Sequence, residues 1–374
     1  MQTPDISALR TTCDEIIGEE RLIEFLKSGH TVKHYIGIET SGVLHLGHGI
    51  MVMRVIKELQ ALGVECHLFM ADWHAWINDK LGGDLAFMKS TAIPLFKELF
   101  HAAALVTGVD FEKLTFVNAS DKVDNSDYWA TVIDVARNTT LARIQRSIDI
   151  MGRKEGETAD FAKLIYPAMQ AADLFYMGMH IAHGGSDQRK AYVISIDVAD
   201  HLKFSPLMLG DKRVKPVVLC GHFLQGLTPP AKEMLEKEKL TYEEMADVKM
   251  SKSKPNSAVF LDDSPEIISS KIKKAYCPEG EIRLNPILDW AKNICLDLGD
   301  RTLSVTRKAE WGGDVTYRDY ATLESDFVAK KLHPMDLKAA VAASLIAILE
   351  PARTYLANPE VRALQAAVTA KVTR

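Results

Sequence analysis

A chain of 374 residues with 25% charged and 47% hydrophobic side chains and a formal net charge of −5 has a globular profile with room for about two domains. The slightly acidic total argues against a general nucleic-acid coat and leaves room for a local basic face. No apolar run approaches the roughly 20 residues of a membrane helix, Met1-Gln2-Thr3-Pro4-Asp5 lacks the features of a secretory signal, and Cys13, Cys66, Cys220, Cys277 and Cys295 show no paired short spacing. A reducing, cytoplasmic setting with neither a zinc site nor a disulfide framework is expected.

Residues up to about Gly29 read as helix, with Arg21, Leu22, Ile23, Phe25 and Leu26 on one face and Ser28-Gly29-His30 ending it. His34-Tyr35-Ile36-Gly37-Ile38 is a candidate buried parallel strand. It passes through a Ser41-Gly42 turn into a helical pattern over 46–62. A second short apolar run covers 64–72, and a third covers 115–120 after a helical stretch over 86–106. Strand and helix alternating in this rhythm predict an α/β fold with a doubly wound parallel sheet. Ligands gather beyond the carboxyl ends of such strands, where Glu39 to His48 and Asp72 to His74 would lie.

Helical patterns follow over 128–151, carrying Arg137, Arg143 and Arg146, and over 161–179. Between them lies a polar break, and after them come His183-Gly184-Gly185-Ser186-Asp187-Gln188-Arg189-Lys190 and a further strand candidate over 214–219. Residues 233–246 are charge-rich and read as an exposed linker. Beyond Asp262 the texture changes to amphipathic helices over 265–276, 284–298, 319–332 and 334–356. The division predicted is a first domain over 1–262 and an all-helical domain over 263–374.

Two segments carry chemistry. In His45-Leu46-Gly47-His48, imidazoles stand at a helix start, where the first N–H groups lack partners and the dipole favours anions. Gly47 allows close approach. Taken singly, an H-x-G-H is more often a turn with two partly exposed histidines. Far downstream, Lys249-Met250-Ser251-Lys252-Ser253 puts two cations and two hydroxyls on a loop-like segment, a composition that alone is usually a solvated basic loop. Together the pair resembles the two signature motifs of class I aminoacyl-tRNA synthetases, with Leu46 in place of the usual isoleucine. That resemblance implies a Rossmann-like catalytic domain in which His45, Gly47, His48, Lys249, Met250 and Lys252 bind ATP. Adenylate formation suits such a site: the attacking carboxylate is already anionic, so catalysis is positioning and neutralisation of phosphate charge. His45, His48, Lys249, Lys252, Ser251 and Ser253 are the expected catalytic set, and Mg²⁺ is expected to arrive with ATP rather than at a protein metal site.

In Tyr166-Pro167-Ala168-Met169-Gln170-Ala171-Ala172-Asp173, helical spacing puts Tyr166, Gln170 and Asp173 on one face. For any one of them a solvated polar face is the ordinary alternative. This helix resembles that of the archaeal and eukaryotic type of tyrosyl-tRNA synthetases. So do Ala71-Asp72-Trp73-His74-Ala75, 184–190, Lys273-Lys274-Ala275-Tyr276-Cys277-Pro278 and 332–338, so that nearly the whole chain is covered. The resemblance implies that Tyr35 and Asp173 hold the substrate phenol and that Tyr166, Gln170 and Gln188 hold its amino group, with Gly37, Glu39 and His74 in the same pocket. Phenylalanine in this site is expected to leave a buried carboxylate and a phenol unpaired. Lys252 and Ser186 depart from what many relatives carry.

The same resemblance places Arg146 and Arg189 near the acceptor stem of tRNA(Tyr) and Trp311, His333 and Asp336 at its first anticodon base. It also implies a homodimer whose contact surface is a helical insertion near 107–140. Tryptophanyl-tRNA synthetases share the helix motif, which makes tryptophan the second substrate reading. A synthetase-like RNA-binding protein without catalysis is a third, set against the two intact phosphate motifs.

Overall fold

The computed structural model describes residues 3–148, 160–250 and 255–372. At its centre is a six-stranded sheet. Its strands in chain order are β1 (Cys13–Ile17), β2 (Lys33–Ile38), β3 (Glu65–Met70), β4 (Leu114–Asn118), β5 (Ile181–Gly185) and β6 (Val217–Gly221). In space the order is β1-β6-β5-β2-β3-β4, parallel throughout except for β1, which runs antiparallel to β6. The chain steps outward from β2 to β3 and β4, then crosses back to β5 on the other side of β2. The reversal between β2 and β5 opens a crevice at their carboxyl ends, the usual ligand position in such sheets.

The helices that bear on this crevice are α1 (Leu46–Ala61), α2 (Asp72–Ile77), α3 (Ile93–Thr107), α4 (Ser126–Arg137), α5 (Phe161–Tyr176) and α6 (Arg189–Val198). The central strands are short apolar runs because helices cover both faces. Ile50, Met53, Val55, Ile56 and Leu59 of α1 are all fully buried against them. In the C-terminal part, α7 (Pro265–Lys274) packs on α8 (Pro334–Ile348), and α9 (Glu350–Leu356) and α10 (Pro359–Lys371) return to lie on α3. Tyr355 of α9 donates its hydroxyl to Glu98 and lies 2.9 Å from His101 Nδ1, while Lys371 of α10 pairs with Asp84. Buried Arg54 of α1 bonds Asp297 at 2.7 Å.

The structure corrects several boundaries. The N-terminal segment read as one helix is two, Ser7–Thr12 and Glu19–Lys27, with β1 between them and Gly18 turning at φ 90°. β1 earns its strand from pairing with β6, a partner that local periodicity cannot show. The segment read as a linker over 233–246 forms two short helices, Lys232–Glu236 and Tyr242–Val248, the second closed by a Thr241–Glu244 capping box. The stretch 107–140 is not purely helical, since it contains β4. The C-terminal part is helical apart from a hairpin of β7 (Leu303–Val305) and β8 (Val315–Tyr317).

Candidate active site

α5 supplies the floor of the crevice. Asp160 caps it, accepting from Lys163 N at 3.2 Å, and Ala168, Met169, Ala171, Ala172 and Leu174 bury its apolar side. Tyr166, Gln170 and Asp173 are nonetheless buried as well, so their face looks into the crevice and not to solvent. Asp173 is the hub. Its Oδ2 accepts the Tyr35 hydroxyl at 3.1 Å and lies 3.4 Å from His74 Nε2, and its Oδ1 accepts the Tyr128 hydroxyl at 3.0 Å. Burial pushes the Asp173 carboxyl up to about 7, against the pull of the two phenols, Tyr128 before Tyr35. Burial holds the His74 imidazole down at about 4, so it is neutral beside that carboxylate.

The expectation that phenylalanine would strand a carboxylate and a phenol is therefore corrected: Asp173 and Tyr35 satisfy each other in the free protein. Above them, Tyr166 donates to Glu39 Oε1 at 2.9 Å, Asn78 Nδ2 donates to the same oxygen at 2.9 Å, and Lys80 Nζ lies 3.9 Å from Oε2. Gln170 Nε2 donates to Gln188 Oε1 at 3.2 Å. Gly37 is required by space, because a β-carbon there would stand 2.7 Å from the Tyr35 hydroxyl. All eight residues expected in the amino-acid pocket thus lie around one crevice. Tyr128 and Asn78 are additions that the sequence did not single out; Tyr128 meets Asp173 from another helix, and no local pattern signals it.

Backbone bonds tie the His45–His48 turn to residues just after the lysine segment. His45 caps α1, and its carbonyl accepts from His48 N at 3.0 Å and Gly49 N at 2.8 Å. The His45 and His48 rings stack at 4.6 Å, the first buried and the second exposed. A β-carbon on Gly47 would come within 3.1 Å of the His45 ring. Leu46 N donates to Val259 O at 3.0 Å, and His45 bridges Phe260. The other end of the lysine segment is held by Gly226 N on Val248 O at 2.7 Å and by Met250 N on Leu224 O at 3.0 Å. Met250 is buried, and Lys249 Nζ sits 2.6 Å from Asp187 Oδ2. Ser251, Lys252 and Ser253 lie outside the described residues. Among the described residues no group of three or more metal-ligating side chains forms a cage.

The residues expected on the tRNA side are spread over the surface. Arg146 is exposed after the short helix Leu141–Gln145. Arg189 is engaged by Glu15 through Nε at 2.6 Å and Nη2 at 2.9 Å. Trp311 is 59% exposed, with Lys308 Nζ 5.0 Å above its ring. His333 caps α8, its Nδ1 accepting from Met335 N at 3.1 Å, and Asp336 is in the first turn of that helix. Arg307 ties the two regions together by donating to Gly313 O and Lys331 O, each at 2.7 Å.

The fold and the paired phosphate motifs define a nucleotide-using synthetase, and comparison agrees: the family model of class I tRNA synthetases (W and Y) matches residues 27–350, and the chain belongs to that family. Its relatives narrow the group. The tyrosine–tRNA ligase of Thermococcus kodakarensis is 51% identical over 91% of each chain, and that of Pyrococcus abyssi is 47% identical over 98% of this chain and 97% of its own. The crystal structure of tyrosyl-tRNA synthetase complexed with L-tyrosine from Pyrococcus horikoshii is 46% identical, with a TM-score of 0.91 over 97% of this chain and 100% of that one. Tryptophanyl-tRNA synthetase from Aeropyrum pernix, at 17% identity and a TM-score of 0.65 over 94% of this chain and 85% of that one, shares the fold.

Proposed function

We propose that the chain is a tyrosine–tRNA ligase, which joins L-tyrosine to ATP as tyrosyl-adenylate and then passes the tyrosyl group to the 3′ end of tRNA(Tyr). The observation that carries this is the buried Asp173–Tyr35 pair, a group suited to recognising a hydroxyl, beside the rings of His74, Tyr128 and Tyr166. Tyrosine lies with its phenol toward that pair and its amino group toward Tyr166, Gln170 and Gln188. Its carboxylate oxygen bonds the α-phosphorus of ATP as the bond to the β-phosphate oxygen breaks and pyrophosphate leaves. No proton needs to be taken from the nucleophile. The N-terminus of α1 with His45 and His48, and the lysine segment with Lys249 and Lys252, neutralise the charge that grows on the phosphates. Mg²⁺ is taken to arrive with ATP.

Arg146 and Arg189 are assigned to the acceptor stem, and Trp311, His333 and Asp336 to the anticodon. A homodimer through α4 is supported by the exposed apolar side chains Ile133, Leu141 and Phe204 on or beside it. Among the described residues no helix is long and apolar enough to cross a membrane, and a cytoplasmic enzyme is the reading adopted. ATP–pyrophosphate exchange with each amino acid tests the assignment. Exchange driven by tyrosine is expected, exchange driven by tryptophan would transfer the site to that substrate, and no exchange at all would leave an RNA-binding protein.

A further inference from the structure

Asp173 is held by two phenols that reach it from different parts of the chain. Tyr35 comes from β2 and takes Oδ2; Tyr128 comes from α4 and takes Oδ1. The Tyr128 side is rigidly built. Its ring is 1% exposed and stands edge-on to Tyr176 at 5.4 Å and to Trp129 at 5.5 Å. The helix that carries it is capped by Asn125, and Asp134 on the same helix accepts from Lys203 N and Phe204 N. Without Tyr128, Tyr35 alone would donate to Asp173, and Oδ1 would lose its donor.

We propose that Tyr128 is a positioning residue for substrate selection: by holding Oδ1 it fixes the Asp173 carboxylate with Oδ2 toward Tyr35, as the acceptor for the hydroxyl of the substrate. This rests on the reading of the crevice as a tyrosine site. Charge supports it. The groups that face Asp173 are Tyr35 from β2, His74 from α2, Tyr128 from α4, Tyr192 from α6, and Tyr166 and Gln170 on its own helix, none of them a cation at neutral pH. Burial works against the anion, and phenol hydrogen bonds are what oppose it, that of Tyr128 foremost. Removing this donor shifts the carboxyl further up and leaves a protonated acid where the substrate hydroxyl needs an acceptor.

The test is pyrophosphate exchange with tyrosine, phenylalanine and tryptophan across pH for the parent, Tyr128→Phe, Asp173→Asn and the double variant. A parent that does not activate tyrosine sinks the underlying reading, whatever the variants do. With an active parent, Tyr128→Phe is expected to narrow the tyrosine-to-phenylalanine ratio of kcat/KM by about tenfold and to move the acidic limb of the tyrosine profile up by about 1–2 pH units, the size of one hydrogen bond to a buried charge. An unmoved limb and ratio overturn the proposal. The double variant tests the route by which Tyr128 acts. It should match Asp173→Asn in its ratio if Tyr128 acts through the carboxylate, and a further loss of the ratio in the double variant overturns that role.

Discussion

Lys249 Nζ lies 2.6 Å from Asp187 Oδ2, so the first cation of the lysine segment is ion-paired to the residue next to Gln188, at the edge of the amino-acid pocket. The same ammonium stands 5.0 Å over the Phe223 ring. On the proposed reading, phosphate oxygens compete with Asp187 for this cation. We predict that Lys249→Ala lowers the rate of tyrosyl-adenylate formation by about 10–100-fold, the worth of a charged hydrogen bond made in the transition state, with the KM for tyrosine nearly unchanged. Pyrophosphate exchange at varied tyrosine concentration reads both quantities. Activation at the parent rate would remove Lys249 from the phosphate site.

Mutual pairing of Asp173 and Tyr35 changes how discrimination is expected to work. Phenylalanine leaves that pair intact, and what it forgoes is the bond its missing hydroxyl would have made. Asp173→Ala is predicted to reduce the tyrosine-to-phenylalanine ratio by about 10–100-fold and Tyr35→Phe by less, because a neutral phenol is the weaker partner. Equal ratios in parent and Asp173→Ala would show that the carboxylate does not meet the hydroxyl.

For the anticodon surface, Asp336→Ala is predicted to weaken charging of tRNA and relax choice at the first anticodon base while adenylate formation is unaffected. Aminoacylation of tRNA variants against pyrophosphate exchange separates the two. His333 is the poorer probe, since it also caps α8 and its removal carries a stability cost of about 0.5–2 kcal/mol.

Stability should depend on pH through His222. Burial alone would lower its pKa, but the Asp14 and Asp289 carboxylates at 2.7 and 2.8 Å outweigh burial and hold it at about 10. Its folded value exceeds the ordinary 6.5, so the imidazolium contributes fully below 6.5 and the contribution is lost as pH rises through about 10. His74 and His183 run the other way: burial lowers them to about 4 and about 3, and their contribution, present above 6.5, fades as pH falls through those values. Melting curves of parent and His222→Gln are predicted to differ most below pH 6.5 and to converge above pH ~10. A difference that persists there would mean His222 acts through packing alone.

Much of the crevice was legible because its residues sit on periodic elements. Tyr35 and Gly37 alternate on a strand, Tyr166, Gln170 and Asp173 share a helix face, and His45 and His48 flank a helix start. What escaped depends on pairing across distance. Tyr128 reads as an ordinary apolar helix position until α4 meets α5, β1 becomes a strand only through β6, and the hairpin of β7 and β8 has three residues a side, too few for alternation to register. Arg189, placed near the acceptor stem by resemblance, pairs with Glu15 of the same unseen strand.

α9 and α10 return onto α3, so the part beyond Asp262 shares a packed surface with the part before it. A nick there would leave the front fragment with the α3 surface around Glu98 and His101 bare, and the rear fragment with two helices that have nothing to lie on. Two such halves, made separately, are predicted to need each other to fold, and a front fragment that folds alone would overturn this. Fragment complementation, with neither half competent alone, is the behaviour this arrangement dictates.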